Sequence, residues 1–112
     1  MRTPYREYRQ LVQRANAARL RFAGLFDGFD ALLTPSAPGE PPASRRVAGP
    51  EFQMGDPVMS RGWTLLHLPC ITLPHFTGPQ GMPVGVQLIG AFGADERLLS
   101  LAKWGEQVFA KA

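Results

Sequence analysis

Cysteine, lysine and long apolar runs are what this sequence has least of, and each shortage excludes something. A single cysteine, Cys70, rules out an internal disulfide and suits a reducing compartment, so a cytoplasmic location is expected. No stretch approaches the ~20 consecutive apolar residues that a membrane-spanning helix requires. The first residues are rich in arginine and tyrosine and carry no apolar core segment, so no signal peptide and no membrane partner are expected. Only Lys103 and Lys111 are lysines, and Ser36, Ser44, Ser60 and Ser100 are the only serines. None of these serines lies in a Gly-x-Ser-x-Gly turn, and neither lysine has a glycine-rich serine loop near it. No catalytic residue is therefore assigned. Phosphate-binding glycine patterns are also missing, since the stretch from Gly81 to Gly90 contains neither Gly-x-Gly-x-x-Gly nor Gly-Lys-Ser/Thr.

What is present is a chain of 112 residues with 45% hydrophobic composition, enough for one small packed unit rather than a disordered segment. Glycine and proline are plentiful, at 12 and 11, and they are unevenly placed. Residues 4–26 read as an amphipathic helix, with Tyr5, Tyr8, Val12, Ala15, Phe22 and Leu25 at helical spacing and Ala18 bridging the gap. Thr3 is the expected cap and Pro4 the expected first helical residue. Phe29 to Thr34 reads as a short buried strand ending at Pro35. A long proline-rich loop follows over 34–57, where Pro35, Pro38, Pro41, Pro42, Pro50 and Pro57 repeatedly fix φ and remove backbone donors.

Residues 58–66 suit a short helix with Met59, Trp63 and Leu66 on one side. Leu68–Leu73 and Pro83–Ile89 read as strands joined by the turn-rich connector 75–81, hence a β-hairpin. Both strands are apolar on successive residues, which suits a sheet covered on both faces. Asp95 is the expected cap of a last helix whose inner face carries Leu98, Leu101, Ala102, Gly105, Val108 and Phe109.

Few constellations offer chemistry. His67, Cys70 and His75 are close in sequence, but a zinc site needs three or four ligands of fitting geometry. With Cys70 on the strand, His67 before it and His75 beyond its end, no metal site is assigned, and Cys70 reads as a small core residue. Gln87 interrupts an apolar strand and must find hydrogen-bond partners if buried, most simply neighbouring backbone. Arg2, Arg6, Arg9, Arg14, Arg19 and Arg21 crowd the first helix, with Glu7 the only acid before Asp27. Nucleic-acid binding is the rival reading of that charge, but no recognition motif accompanies it, and a solvated helix face accounts for it.

Four segments in order resemble the C-terminal region of the amidase-signature hydrolases. They are Glu7-Tyr8 on an arginine- and alanine-rich helix; Phe29-Asp-Ala-Leu-Leu-Thr-Pro-Ser-Ala-Pro38, similar to that family's Asp-x-Leu-Leu-Thr-Pro-Thr-x-Pro; Trp63-Thr-Leu-Leu-His-Leu-Pro-Cys-Ile-Thr-Leu-Pro74, similar to its Gly-x-Pro-x-x-x-x-Pro strand; and Gly81-Met-Pro-Val-Gly-Val-Gln-Leu-Ile-Gly90 followed by Asp95–Leu99. The resemblance implies an α/β fold, a small mixed β-sheet of about three strands flanked by N- and C-terminal helices.

It also implies that residues 1–112 are a single partial domain, the C-terminal portion of an enzyme that hydrolyses carbon–nitrogen amide bonds without metal or organic cofactor. The family's Ser–cis-Ser–Lys triad lies in an earlier glycine- and serine-rich region that nothing here matches, so the chain alone is expected to be inactive. Its expected partners are the missing N-terminal part or a second copy, with an amide substrate only in the complete enzyme. Met59 and Trp63 would lie towards the substrate pocket, with plain core packing as the competing reading. His67 stands where many members carry glycine. The alternative to an amidase segment is a stand-alone binding module, presenting its Arg-rich helix to a partner such as nucleic acid.

Overall fold

A computed structural model describes residues 2–41 and 56–112. The greater part of the proline-rich loop expected over 34–57 lies outside the described residues. The elements run α1 (Tyr5–Leu25), β1 (Leu32–Pro35), α2 (Val58–Leu65), β2 (Cys70–Thr77), β3 (Pro83–Ile89) and α3 (Asp95–Phe109). The three strands form one sheet in the order β1-β3-β2. Both pairings are antiparallel, so the sheet expected to be mixed is antiparallel throughout its described strands, with helices beside it as expected.

The central strand β3 begins at a proline and stops before Gly90, matching the sequence-based bounds. It pairs β2 from Cys70↔Ile89 to Thr77↔Pro83, with a register shift between Pro74 and Phe76. That bulge carries β2 past Pro74, where the sequence pattern ends it. A proline is tolerated there because β2 is an edge strand. His75 therefore belongs to β2 rather than lying beyond its end. On the other side β1 pairs Leu32↔Ile89 through Pro35↔Val86, and Ser36 N–H continues the ladder to the Gly85 carbonyl at 3.1 Å. Phe29 and Asp30, expected at the start of a buried strand, precede β1 and are exposed. Asp30 instead forms an ion pair with Arg97 of α3.

Strand alternation sorts the side chains by face. Ile71, Leu73, Val86, Leu88 and Leu33 point to one side, and α3 packs there. Leu73, Leu88, Leu98 and Ala102 form the core, with Ile71, Val86, Leu101 and Phe109 against it. Gly105 completes the contact, since a Cβ at that position would lie 3.1 Å from Leu73 Cδ1. The bulge turns both His75 and Phe76 onto this side, where each ring meets Phe109, at centroid separations of 5.9 and 5.5 Å. Asp95 and Glu96 occupy the first turn of α3, where their charge suits the helix dipole. Asp95 is not the cap, however; Ala94 is, and it makes no side-chain cap bond. Val108, expected inside, is exposed.

Helix α1 starts at Tyr5 with Pro4 as the N-cap residue and no side-chain cap bond, so Thr3 does not play the role expected of it. No α1 residue is buried. Its half-buried positions are Ala15, Ala18, Arg19 and Phe22, while Tyr5, Tyr8 and Val12 of the expected stripe are exposed.

Candidate functional site

The face of the sheet opposite α3 is the chemically diverse one. Register places Leu32, Thr34 and Ser36 from β1 and its extension, Gly85, Gln87 and Ile89 from β3, and Cys70 and Thr72 from β2 on this side. Ile89 is fully buried, and Gln87 is the one buried polar residue among those described, 4% exposed. The Gln87 carboxamide Nε2 donates to the Pro35 carbonyl at 3.2 Å and to the Met59 carbonyl at 2.6 Å. The backbone bracket read from the sequence is therefore observed, and it joins β1 to α2. Ser36 Oγ donates to Thr72 Oγ1 at 3.2 Å across Gly85. A Cβ on Gly85 would stand 2.6 Å from Thr72 Cγ2 and 3.1 Å from Ser36 Oγ, so glycine is what lets these two hydroxyls meet.

Helix α2 lies over this face. Asp56 Oδ1 accepts from the Val58 N–H at 3.0 Å and so fixes its first turn. Met59 and Trp63 are both half-buried. Met59 is tied to the sheet through its carbonyl, and Trp63 meets Phe22 of α1 edge-to-face at 6.0 Å. The Glu40 carboxylate reaches the hairpin turn, where Oε1 accepts from the Gln80 and Met82 N–H groups at 2.9 and 3.4 Å.

The groups considered for nucleophilic or metal chemistry are engaged separately. Ser60 Oγ donates to the Pro57 carbonyl and Ser100 Oγ to the Glu96 carbonyl. Ser44 lies outside the described residues. Cys70 is exposed on the edge strand, not a core residue as the sequence suggests; its thiol contacts the Leu68 carbonyl at 3.7 Å. Local desolvation pushes that thiol above its ordinary pKa, which disfavours the reactive thiolate at neutral pH. His67 meets Arg19, and His75 stacks on Phe109.

On the other face, a groove of about 530 Å³ runs between β1 and α3. Leu33, Trp104 and Val108 line it, and Leu33 and Trp104 are 58% and 61% exposed. Met59 and Trp63 are not among its lining residues.

An antiparallel three-stranded sheet with one long helix packed on a core and a second face of small polar groups defines an α/β segment. The Amidase family model matches residues 2–99. The chain is 32% identical to a glutamyl-tRNA(Gln) amidotransferase component from rat (Rattus norvegicus) mitochondria, in an alignment covering 77% of this chain and 17% of that protein. It is 35% identical to the corresponding glutamyl-tRNA(Gln) amidotransferase component of Neisseria meningitidis serogroup C, covering 72% and 17%. A crystal structure of an amidase superposes with a TM-score of 0.73 and 30% identity, over 94% of this chain and 25% of that one. The chain belongs to the amidase family. It spans only about a sixth of the length of these curated relatives.

Proposed function

We propose that the chain is the C-terminal portion of an amide-hydrolysing enzyme, contributing to a carbon–nitrogen hydrolase only when the rest of that fold is supplied. The observation that carries this reading is the apolar surface left uncovered: Phe29, Leu33 and Trp104 are 61%, 58% and 61% exposed, and large apolar groups left exposed together mark a surface that a partner covers. Correspondence to a quarter of a solved amidase supports the same reading. In this proposal the Ser–cis-Ser–Lys triad belongs to the absent region, and the partner is that region or a second copy of this chain. The site of action is the cytoplasm, a placement that rests on the lone cysteine. No helix among the described residues is long and apolar enough to cross a membrane.

Met59 and Trp63, on the helix over the polar face, are proposed to line the substrate pocket of the complete enzyme. Nucleic acid is not proposed as a partner, since no recognition motif accompanies the arginines and Arg19 is committed to Leu65 and His67.

The test is turnover. Purified chain, assayed against aryl and aliphatic amides, is expected to give no hydrolysis above buffer, because a nucleophile paired with a base is missing. Activity that follows the protein through purification would overturn the proposal, and its loss on alanine substitution at Ser36, Ser44, Ser60 or Ser100 would identify a nucleophile within this chain.

A further inference from the structure

His67 has φ of 58°, the only non-glycine residue among the described ones in the left-handed region. An imidazole-bearing residue is strained there. The strain coincides with a contact. Arg19 Nη2 lies 3.0 Å from His67 Nε2, and the same guanidinium donates to the Leu65 carbonyl from Nε at 3.1 Å and from Nη2 at 2.8 Å. Its Nη1 donates to Asn16 Oδ1 at 2.6 Å. Arginine stays charged and offers donors only, so the contact forms only if Nε2 carries the lone pair and the ring proton sits on Nδ1.

No α1 residue is buried; the helix meets α2 through the Arg19 bonds to the Leu65 carbonyl and the Phe22–Trp63 edge, and meets the residue after α2 through His67. We propose that His67 is a proton-sensitive latch: as neutral imidazole it accepts from Arg19 and adds to the hold of α1 on the α2–β2 turn, and as imidazolium it loosens that hold.

Among the described residues no acid is placed to compensate a second positive charge beside Arg19. Facing His67 from α1 is Arg19. Helix α2 brings only Arg61, β2 only Cys70 and His75, and β3 no charged or titratable side chain. Glu7, the one acid on α1, is twelve residues from Arg19, about 18 Å along the helix. The sole ion pair among the described residues is Arg97–Asp30, on α3 and the segment before β1. A protonated His67 would therefore lose its acceptor and face a guanidinium at contact distance.

The experiment is hydrogen exchange of the full chain, reported as protection factors for α1 amides, with β3 amides as the internal standard for folding. Measurements are made at pH 8 and pH 5, the range over which histidine side chains act as charge switches. Wild type is expected to lose α1 protection about tenfold at pH 5, the scale of one charge-assisted hydrogen bond. His67→Gly relieves the backbone strain but removes the acceptor; its α1 is expected to be poorly protected at both pH values. His67→Gln keeps an acceptor that does not titrate and is expected to be protected and pH-independent. Three results would each overturn the latch: α1 protection in His67→Gly equal to or above wild type at pH 8, wild-type protection unchanged at pH 5, or the wild-type fall reproduced in His67→Gln. The last would assign the response to His75.

Discussion

Leu73→Ala is expected to remove about 3 kcal/mol of stability, within the range for a fully buried leucine truncated to alanine. Leu73 is 2% exposed and stands where β2 meets α3, with Gly105 directly over its side chain. The helix cannot settle into the vacated space easily, because the glycine already brings backbone and sheet close. A collapse would also have to move Leu88, Leu98 and Ala102, the rest of the core. With so small a core, a loss of that size is expected to leave much of the chain unfolded at 37 °C. Thermal unfolding followed by circular dichroism, at one fixed protein concentration for both proteins, reads the effect. For a domain of this size the midpoint should fall by roughly 4–8 °C per kcal/mol. A midpoint within a few degrees of wild type would mean that Leu73 is not the centre of the packing between α3 and the sheet.

Gln87→Leu is expected to cost about 1–3 kcal/mol although leucine is the more apolar residue. Removing the carboxamide deletes its hydrogen bonds to the Pro35 and Met59 carbonyls, each contributing about 0.5–1.5 kcal/mol. The loss should also be local: the Met59 bond ties α2 to the sheet, so α2 should loosen before the β2–β3 hairpin does. Exchange of the amides of Arg61–Leu65 against those of Val84–Ile89 separates the two. A stabilised Gln87→Leu protein with unchanged α2 protection would show that the bracket contributes packing alone.

How far the sequence discloses this arrangement depends on how local the deciding physics is. Strand β3 is legible to the residue because Pro83 and Gly90 punctuate it and every position between is apolar except Gln87. That exception also discloses the bracket, since a polar side chain inside an apolar strand has to be paired. Strand β2 is longer than its sequence suggests, because Pro74 looks like an end. Its continuation depends on a bulge and on an edge position, both properties of the sheet rather than of the strand. Phe29 looks like core because it is aromatic and close to Leu32 and Leu33, but among the described residues no strand pairs with the segment that holds it.

The helix caps differ from expectation for a related reason. Thr3 and Asp95 have suitable side chains, yet the chain enters both helices without a side-chain bond at the cap. The Arg19–His67 contact joins residues 48 positions apart and exists only because α1 lies beside the α2–β2 turn, so no spacing in the sequence announces it. His67 stands out as a departure from glycine in the family pattern, which points to the unusual backbone but not to the partner. The polar face is a product of register: Ser36, Thr72 and Gln87 come together only when three strands align.

The proposed role within a larger amidase requires faces that the rest of that fold covers, and this is the central expectation for the amidase-family chain. Among the described residues no strand lies beyond the outer edges of β1 and β2, where backbone groups are a template for pairing, and the groove of Leu33, Trp104 and Val108 presents apolar surface beside one of them. Light scattering coupled to size exclusion, run on the purified chain over a hundredfold range of concentration, tests this directly. The expected result is a mass that rises with concentration above the 12.3 kDa of one chain. A monodisperse monomer of that mass at the highest concentration, unfolding in one cooperative transition, would contradict the expectation by showing that the chain closes its own core.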